Sequence, residues 1–186
     1  MTTTQFQAAK WGESVDVDAA SVAESKRNPA AFAVLYDRYV EKIYRYHYYR
    51  TSSVLEAEDL TSQTFLAALE GLQRYQHQGN FAAWLFRIAR GKCIDTFRKK
   101  QRQIPLNDSY TAESGDMLAQ AASSDEIARL AALIRNLDED QQELIRLRYT
   151  AGLPFVQIAA VLNSNENTVK KSLYRVLARL QSQMEN

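Results

Sequence analysis

From Gly152 to Leu180 the chain runs through a short apolar segment, three polar residues and a longer basic segment, and this spacing constrains the fold to helix, turn, helix. Pro154 has no backbone donor to lose at a first helical position. It therefore opens a helix whose Phe155, Ile158, Ala159 and Leu162 recur at three and four residues. Asn163, Ser164 and Asn165 break that pattern. Asn tolerates a left-handed backbone, as expected at Asn163, and the Asn165 side chain is placed to accept a bond from the Thr168 amide, capping the next helix at about Glu166. Val169, Leu173, Val176, Leu177 and Leu180 share one face of that second helix. Thr168, Lys171, Ser172, Arg175 and Arg179, with Lys170 beside them, take the rest. One face packs, and the other has the size and charge to enter a DNA groove.

The remaining sequence favours helices throughout. Only six glycines occur in 186 residues, and the three prolines, Pro29, Pro105 and Pro154, all fall at element boundaries. A hydrophobic fraction of 46% supports real cores, and the internal punctuation divides the chain into two small all-α domains. No apolar run approaches the roughly 20 residues of a membrane span, and the N-terminus has neither the basic nor the apolar stretch of a signal peptide. A soluble, cytoplasmic chain is expected. Cys93 stands alone and is expected to be a packed thiol; with only His47 and His77, no metal-ligand spacing and no cofactor motif is present. No nucleophile–base pair or phosphate-binding glycine loop points to an enzyme.

The net charge of +1 hides a strong segregation along the chain. Arg87, Arg90, Lys92, Arg98, Lys99, Lys100 and Arg102 face a single acid, Asp95, which leaves a local charge of +6. From Gln103 onward the sign reverses: Asp108, Glu113, Asp116, Asp125 and Glu126 occur with no basic residue, among Pro105, Gly115 and several Ser and Ala. This reads as an acidic interdomain linker over 103–124.

Three helices are expected upstream of it. Asn28 and Pro29 start one, striped by Phe32, Leu35, Tyr36, Tyr39, Ile43 and Tyr46; its Tyr44, Tyr46, Tyr48 and Tyr49 serve as amphipathic cover for a small core or as stacking surfaces for bases. A second spans about Ser53 to Tyr75, with Phe65, Leu69 and Leu72 inward and Glu56, Glu58 and Asp59 in its first turns, where the helix dipole favours acids. After a polar break at Gln76 to Asn80, a third carries Phe81, Trp84, Leu85, Ile88, Ile94 and Phe97 and ends in the basic cluster. The expected organisation is a tail over 1–25, a helical domain over 26–102, the linker, and a helix–turn–helix domain over 125–186.

Three segments then stand in a telling order: Ala57-Glu58-Asp59-Leu60-Thr61-Ser62-Gln63-Thr64-Phe65, Trp84-Leu85-Phe86-Arg87-Ile88-Ala89-Arg90, and Ile94-Asp95-Thr96-Phe97-Arg98. With them the chain resembles an extracytoplasmic-function sigma factor of the sigma-70 family. The likeness covers about Pro29 to Arg102 and Asp125 to Leu180.

The resemblance implies partners and sites. The first domain would dock on the clamp of core RNA polymerase through Asp59, Leu60, Ser62 and Gln63, and open the promoter near minus ten. There His77, Gln78 and Asn80 would capture a flipped base while Arg87, Arg90, Lys92, Arg98 and Lys99 steer the phosphates. The second domain, near the polymerase flap, would read duplex DNA near minus thirty-five through Thr168, Lys170, Lys171, Ser172, Arg175 and Arg179. An anti-sigma factor would restrain the chain. Ser62 stands where the family often has a longer Gln, Gly91 where it has Asn, and Asn163 and Ser164 where it has Gly and an apolar residue. The acidic linker would pass near the polymerase cleft, as a mimic of nucleic acid or as a solvated spacer. Two other readings stay open: a stand-alone helix–turn–helix regulator, which leaves the upstream motifs unexplained, and a sigma-like decoy, against which the basic third helix argues.

Overall fold

The computed structural model describes residues 17–76, 80–103 and 125–185, and among these every regular element is helical. The first helix, α1 (Ala19–Arg27), lies partly inside the span expected to be a tail. It buries only Val22 and Ser25, too few apolar residues for periodicity to reveal it. What fixes it is ionic: buried Asp18 pairs with Arg38 and accepts from the Tyr39 hydroxyl at 2.6 Å, tying the start of α1 to the next helix. The boundary expected at residue 26 therefore cuts through a packed helix.

Asn28 accepts from the Ala30 amide at 3.1 Å and, with Pro29, opens a 3-10 turn over Pro29–Ala31 that leads into α2 (Phe32–Thr51). Ser52 ends α2 in the left-handed region at φ 55°. Ser53 caps α3 (Val54–Gly71) by accepting from the Glu56 amide, satisfying one of the orphan donors of its first turn. A 3-10 turn over Leu72–Arg74 follows, and then α4 (Phe81–Gln103). Phe32, Leu35, Tyr39, Ile43 and Tyr46 of α2, Leu60, Phe65 and Ala68 of α3, and Phe81, Leu85, Phe86 and Ala89 of α4 form the core. Three expected core positions end at its margin: Tyr36 is exposed beside Phe65, Leu69 is exposed on α3, and Phe97 lies under the Arg50 guanidinium at 5.9 Å from its ring centre. Tyr46 is core, and the rings of Tyr44 and Tyr48 stack beside it on the outer flank.

One polar chain runs through this core. Thr64 donates its hydroxyl proton to the Leu60 carbonyl at 2.7 Å, so its oxygen is free to accept from His47 Nε2–H at 3.0 Å. His47 Nδ1 is then the acceptor for the Cys93 thiol, 3.0 Å away. This arrangement requires a neutral imidazole. Burial, with the nearby Arg50 charge, lowers the His47 pKa to about 4, and burial pushes the Cys93 thiol up to about 12. Cys93 is the packed thiol the sequence implied, and it keeps its proton.

The C-terminal unit comprises α5 (Asp125–Arg135), α6 (Glu139–Ile145), α7 (Phe155–Leu162) and α8 (Glu166–Glu185). Asp138 caps α6 through the Gln141 amide at 2.8 Å. The helix ends in a π-helical turn, Arg146–Thr150, closed by Ala151 N–H donating to the Arg146 carbonyl. Gly152 then takes φ 70°, a conformation open to glycine without steric cost, and turns the chain into α7. Pro154 is the N-cap residue, one position earlier than expected, and its carbonyl accepts from the amides of Gln157 and Ile158. Asn163 sits at φ 51° and Asn165 Oδ1 accepts from the Thr168 amide at 2.8 Å, both as the sequence implied.

The two units do not stand apart. Leu144, Leu147, Ile158, Ala159 and Val161 join the core of the N-terminal unit, and α7 lies against α4. Val161, outside the expected apolar stripe, is buried because α7 is covered by α4 as well as α8. Except for Gln103, the last residue of α4, the expected linker lies outside the described residues.

Candidate nucleic-acid interface

On α8, Val169, Leu173, Val176 and Leu180 are buried at spacings of four, three and four. The opposite face therefore carries Asn167, Lys171, Tyr174 and Ala178, with Thr168, Ser172, Arg175 and Arg179 along one flank. Thr168, Lys171, Arg175 and Arg179 are exposed and Ser172 is half-buried, so these expected residues share one accessible surface. Lys170 is on the other flank. It pairs with Glu166 at 2.5 Å and lies 5.5 Å from the centre of the Phe155 ring, so its charge is already partnered locally. Tyr174 was missed: it is 59% exposed in the middle of the outward face, its ring 6.1 Å from Phe155. The available signal was the three–four spacing from Lys171 to Tyr174 to Ala178, opposite the apolar stripe.

The basic cluster of α4 divides. Arg87, Gly91, Ile94 and Arg98 recur at four and three residues and form one stripe; Lys92 and Lys99, two turns apart, lie on another. Arg98 and Lys99 are exposed and Lys92 is half-buried. Lys100 pairs with Glu56 at the start of α3. Arg87 donates to the Ala160 carbonyl of α7, and Arg90 Nε is 3.6 Å from a Glu143 carboxylate oxygen. At the head of α4, Trp84 stacks on Tyr75 at 4.5 Å, and both line an open cavity of about 390 Å³ with Arg74, Asn80, Arg87 and Ala160. His77 and Gln78 lie outside the described residues.

The expected clamp-docking set is corrected at one position. Asp59 and Ser62 are exposed and Gln63 is half-buried, donating to Asp59 at 2.8 Å. Leu60, however, is 1% exposed inside the core, because its place on α3 faces α2 rather than solvent. The accessible stripe on α3 runs instead through Leu55, Asp59, Ser62, Leu66 and Leu69, again at spacings of four and three. Its large exposed apolar residues are what a protein-docking face presents.

Between the two units lies a buried ionic cluster around Glu143, which is 2% exposed. It accepts from the Tyr46 hydroxyl at 2.7 Å and pairs with Arg50 of α2, and it pairs with Arg146 of its own unit at 3.1 Å. Arg50 also reaches Glu139 at 2.8 Å. Burial, reinforced by the Glu143 charge, holds the Tyr46 phenol well above its ordinary pKa, so it remains a donor. Burial opposes the Arg50 charge, but Tyr46, Glu143 and Glu139 outweigh it and hold its proton more firmly than usual.

Comparison with known proteins accords with this division. Sigma-70 region 2 matches residues 35–103, and Sigma-70, region 4 matches residues 125–180. The ECF RNA polymerase sigma factor BldN of Streptomyces coelicolor is 35% identical over 155 residues, covering 81% of this chain and 59% of that protein. The ECF RNA polymerase sigma factor SigX of Bacillus subtilis is 30% identical over 163 residues, covering 83% of this chain and 84% of SigX. Among solved structures, CnrH in complex with the cytosolic domain of CnrY superposes with a TM-score of 0.63 at 25% identity, over 90% of this chain and 97% of that one. No helix among the described residues is long and apolar enough to cross a membrane. With two family regions in order and a relative matched over most of both lengths, the chain belongs to the extracytoplasmic-function sigma factors of the sigma-70 family, which bind core RNA polymerase and direct it to promoters.

Proposed function

We propose that α8 reads duplex promoter DNA near minus thirty-five, that α4 and the 76–80 segment hold the opened strand near minus ten, and that the α3 stripe docks on the polymerase clamp. The observation that carries this reading is the outward face of α8, where Lys171, Tyr174 and Arg175 are exposed together on a helix whose other face is core. Arg175 and Lys171 supply charge for base edges or phosphates, and Tyr174 supplies an apolar plate for a thymine methyl. Arg87 and Arg98 on one stripe of α4, and Lys92 and Lys99 on another, supply cationic groups for single-stranded phosphates, with Arg90 beside them. On α3, Asp59, Ser62 and Gln63 provide hydrogen-bonding groups between apolar Leu55, Leu66 and Leu69. The polymerase performs the chemistry, so this chain carries no catalytic group, and it works where polymerase works, in the cytoplasm.

The two functional units correspond to residues 26–102, with α1 added as a buttress, and 125–186, joined by a connector over 103–124. CnrH was solved in complex with the cytosolic domain of CnrY, and an anti-sigma factor is the expected regulator here. Run-off transcription from a promoter library with core polymerase tests the assignment. Initiation should centre on a shared two-part motif and weaken when Lys171 and Arg175 are changed to Ala. DNA binding by the isolated chain without initiation would instead indicate a stand-alone regulator, and core binding without initiation a decoy.

A further inference from the structure

The C-terminal end of α1 packs against the 3-10 turn over Leu72–Arg74, just before the 76–80 segment. The last carbonyls of a helix have no partner within their own element, so such an end takes donors from elsewhere. Here two ends supply each other. Lys26, in the last turn of α1, donates from its ammonium to the Tyr75 carbonyl, at the C-cap of the 3-10 turn. Gln73 of that turn donates back to the Lys26 carbonyl at 2.8 Å. The partners are 49 and 47 residues apart in sequence, so this clasp is tertiary.

At Tyr75 the backbone leaves the helical region, with φ −66° and ψ 123°. Its carbonyl belongs to the planar peptide that leads into Gln76, so a bond to the oxygen orients that plane. The Tyr75 ring is held as well, stacked on Trp84 at 4.5 Å and edge-on to Phe81 at 5.8 Å. Tyr75, Gln76, Asn80 and Trp84 all line the cavity of about 390 Å³ at the head of α4. The far end of α1 reaches the same aromatic group: Asp18 accepts from the Tyr39 hydroxyl at 2.6 Å, and the Tyr39 ring lies 5.7 Å from Phe81. α1 is thus a strut held at both ends around Tyr39, Phe81, Tyr75 and Trp84, although it buries only Val22 and Ser25 of its own. A rim ordered in advance spares the cost of ordering it at the moment of binding, when the lost stacking of a base must already be offset.

We infer that Lys26 is a positioning residue for strand capture: its bond to the Tyr75 carbonyl, closed by Gln73, holds the rim of the Tyr75–Trp84 cavity in the geometry that receives a base unstacked from the promoter. Lys26 acts through Tyr75. The role rests on the reading of the 76–80 segment and α4 as the elements that hold the opened strand, and the clasp itself is measurable without DNA.

The test uses the full chain with core polymerase and one promoter from the library above, offered as intact duplex and as a template premelted by mismatches at its minus ten element. Lys26→Met keeps a stem of similar length and loses the donor, and Lys26→Arg keeps a cationic donor. Gln73→Ala opens the same clasp from an exposed position, should Lys26→Met fail to fold. Capture limits initiation only where the strands must first separate. Initiation on duplex relative to premelted template should therefore fall about ten-fold in Lys26→Met, the scale of one lost bond to a charged donor, fall less in Gln73→Ala, and recover in Lys26→Arg. In a Trp11→Phe background Trp84 is the sole tryptophan, and its quenching by acrylamide, without DNA, should rise in Lys26→Met and Gln73→Ala. Unchanged Trp84 quenching in variants that circular dichroism shows to be folded would overturn the clasp. Equal losses on both templates would make Lys26 a prop for the fold and overturn its positioning role. Raised quenching with an unchanged template ratio would leave the clasp standing and overturn the reading of the cavity as a capture site.

Discussion

Acid should destabilise this protein in part through His47. Its ring is fully buried and its two nitrogens are committed, Nε2–H to Thr64 and the Nδ1 lone pair to the Cys93 thiol. Protonation would place a donor against a sulfur that already donates, in a core that also holds the Arg50 charge. The folded pKa is accordingly lowered to about 4, against 6.5 for an unburied imidazole. Between those values the unfolded chain binds the extra proton and the folded chain does not, so stability is complete above pH 6.5 and falls as pH drops towards 4. The full difference of about 2.5 pKa units corresponds to about 3 kcal/mol, of which about 2 kcal/mol is lost by pH 5. Acid also acts on the rest of the chain, so the measurement is a difference. Urea unfolding at pH 7.5, 6 and 5 is compared between the parent and His47→Gln, whose amide preserves donation to Thr64 but does not titrate. The parent should lose about 2 kcal/mol more than the variant across this range. Proton NMR of the histidine resonances gives an independent reading, with only His47 and His77 to assign. A His47 midpoint near 6.5, or identical pH slopes in the two proteins, would refute the neutral-imidazole network.

Other outcomes follow from the helix ends and the α8 face. Asn165→Ala deletes the cap on Thr168 and should cost about 1 kcal/mol in thermal unfolding, with a parallel loss of duplex affinity as the first turn of α8 frays. At Asn163, φ 51° makes Gly neutral to mildly stabilising, whereas Val should destabilise by roughly 1–2 kcal/mol; equal effects of the two in chemical denaturation would remove the left-handed turn from the account. Lys171→Ala and Arg175→Ala separate the two kinds of DNA contact in titrations across sequence and salt. A phosphate contact should weaken all duplexes alike and reduce the salt slope by about one, and a base contact should cost roughly 1–3 kcal/mol only at the matching sequence.

Local physics made much of this protein readable before any coordinates. The left-handed Asn163 and the Asn165 cap depend on a handful of neighbouring atoms, and both were legible from residue type and position. The α2 stripe of Phe32, Leu35, Tyr39, Ile43 and Tyr46 followed from helical period, because a helix buried on one side displays its burial in its spacing. Composition and order of motifs likewise determined an all-helical chain in two units with a basic α4 and a basic α8. Where an element is buried on more than one side, the period no longer reports the environment. Val161 is core because α4 covers α7; Leu69 and Phe97 are apolar at helical spacing and yet lie at the margin. Leu60 stands next to exposed Asp59, two residues before exposed Ser62, and faces inward all the same. α1 was invisible because its hold depends on Asp18 meeting Arg38 and Tyr39 some twenty residues on. Tertiary structure alone decided the Glu143 cluster, since nothing local distinguishes that acid from Glu139 or Asp140. It becomes singular only when α6 is set against α2, bringing Tyr46 and Arg50 to it across a separation of more than ninety residues and burying the carboxylate.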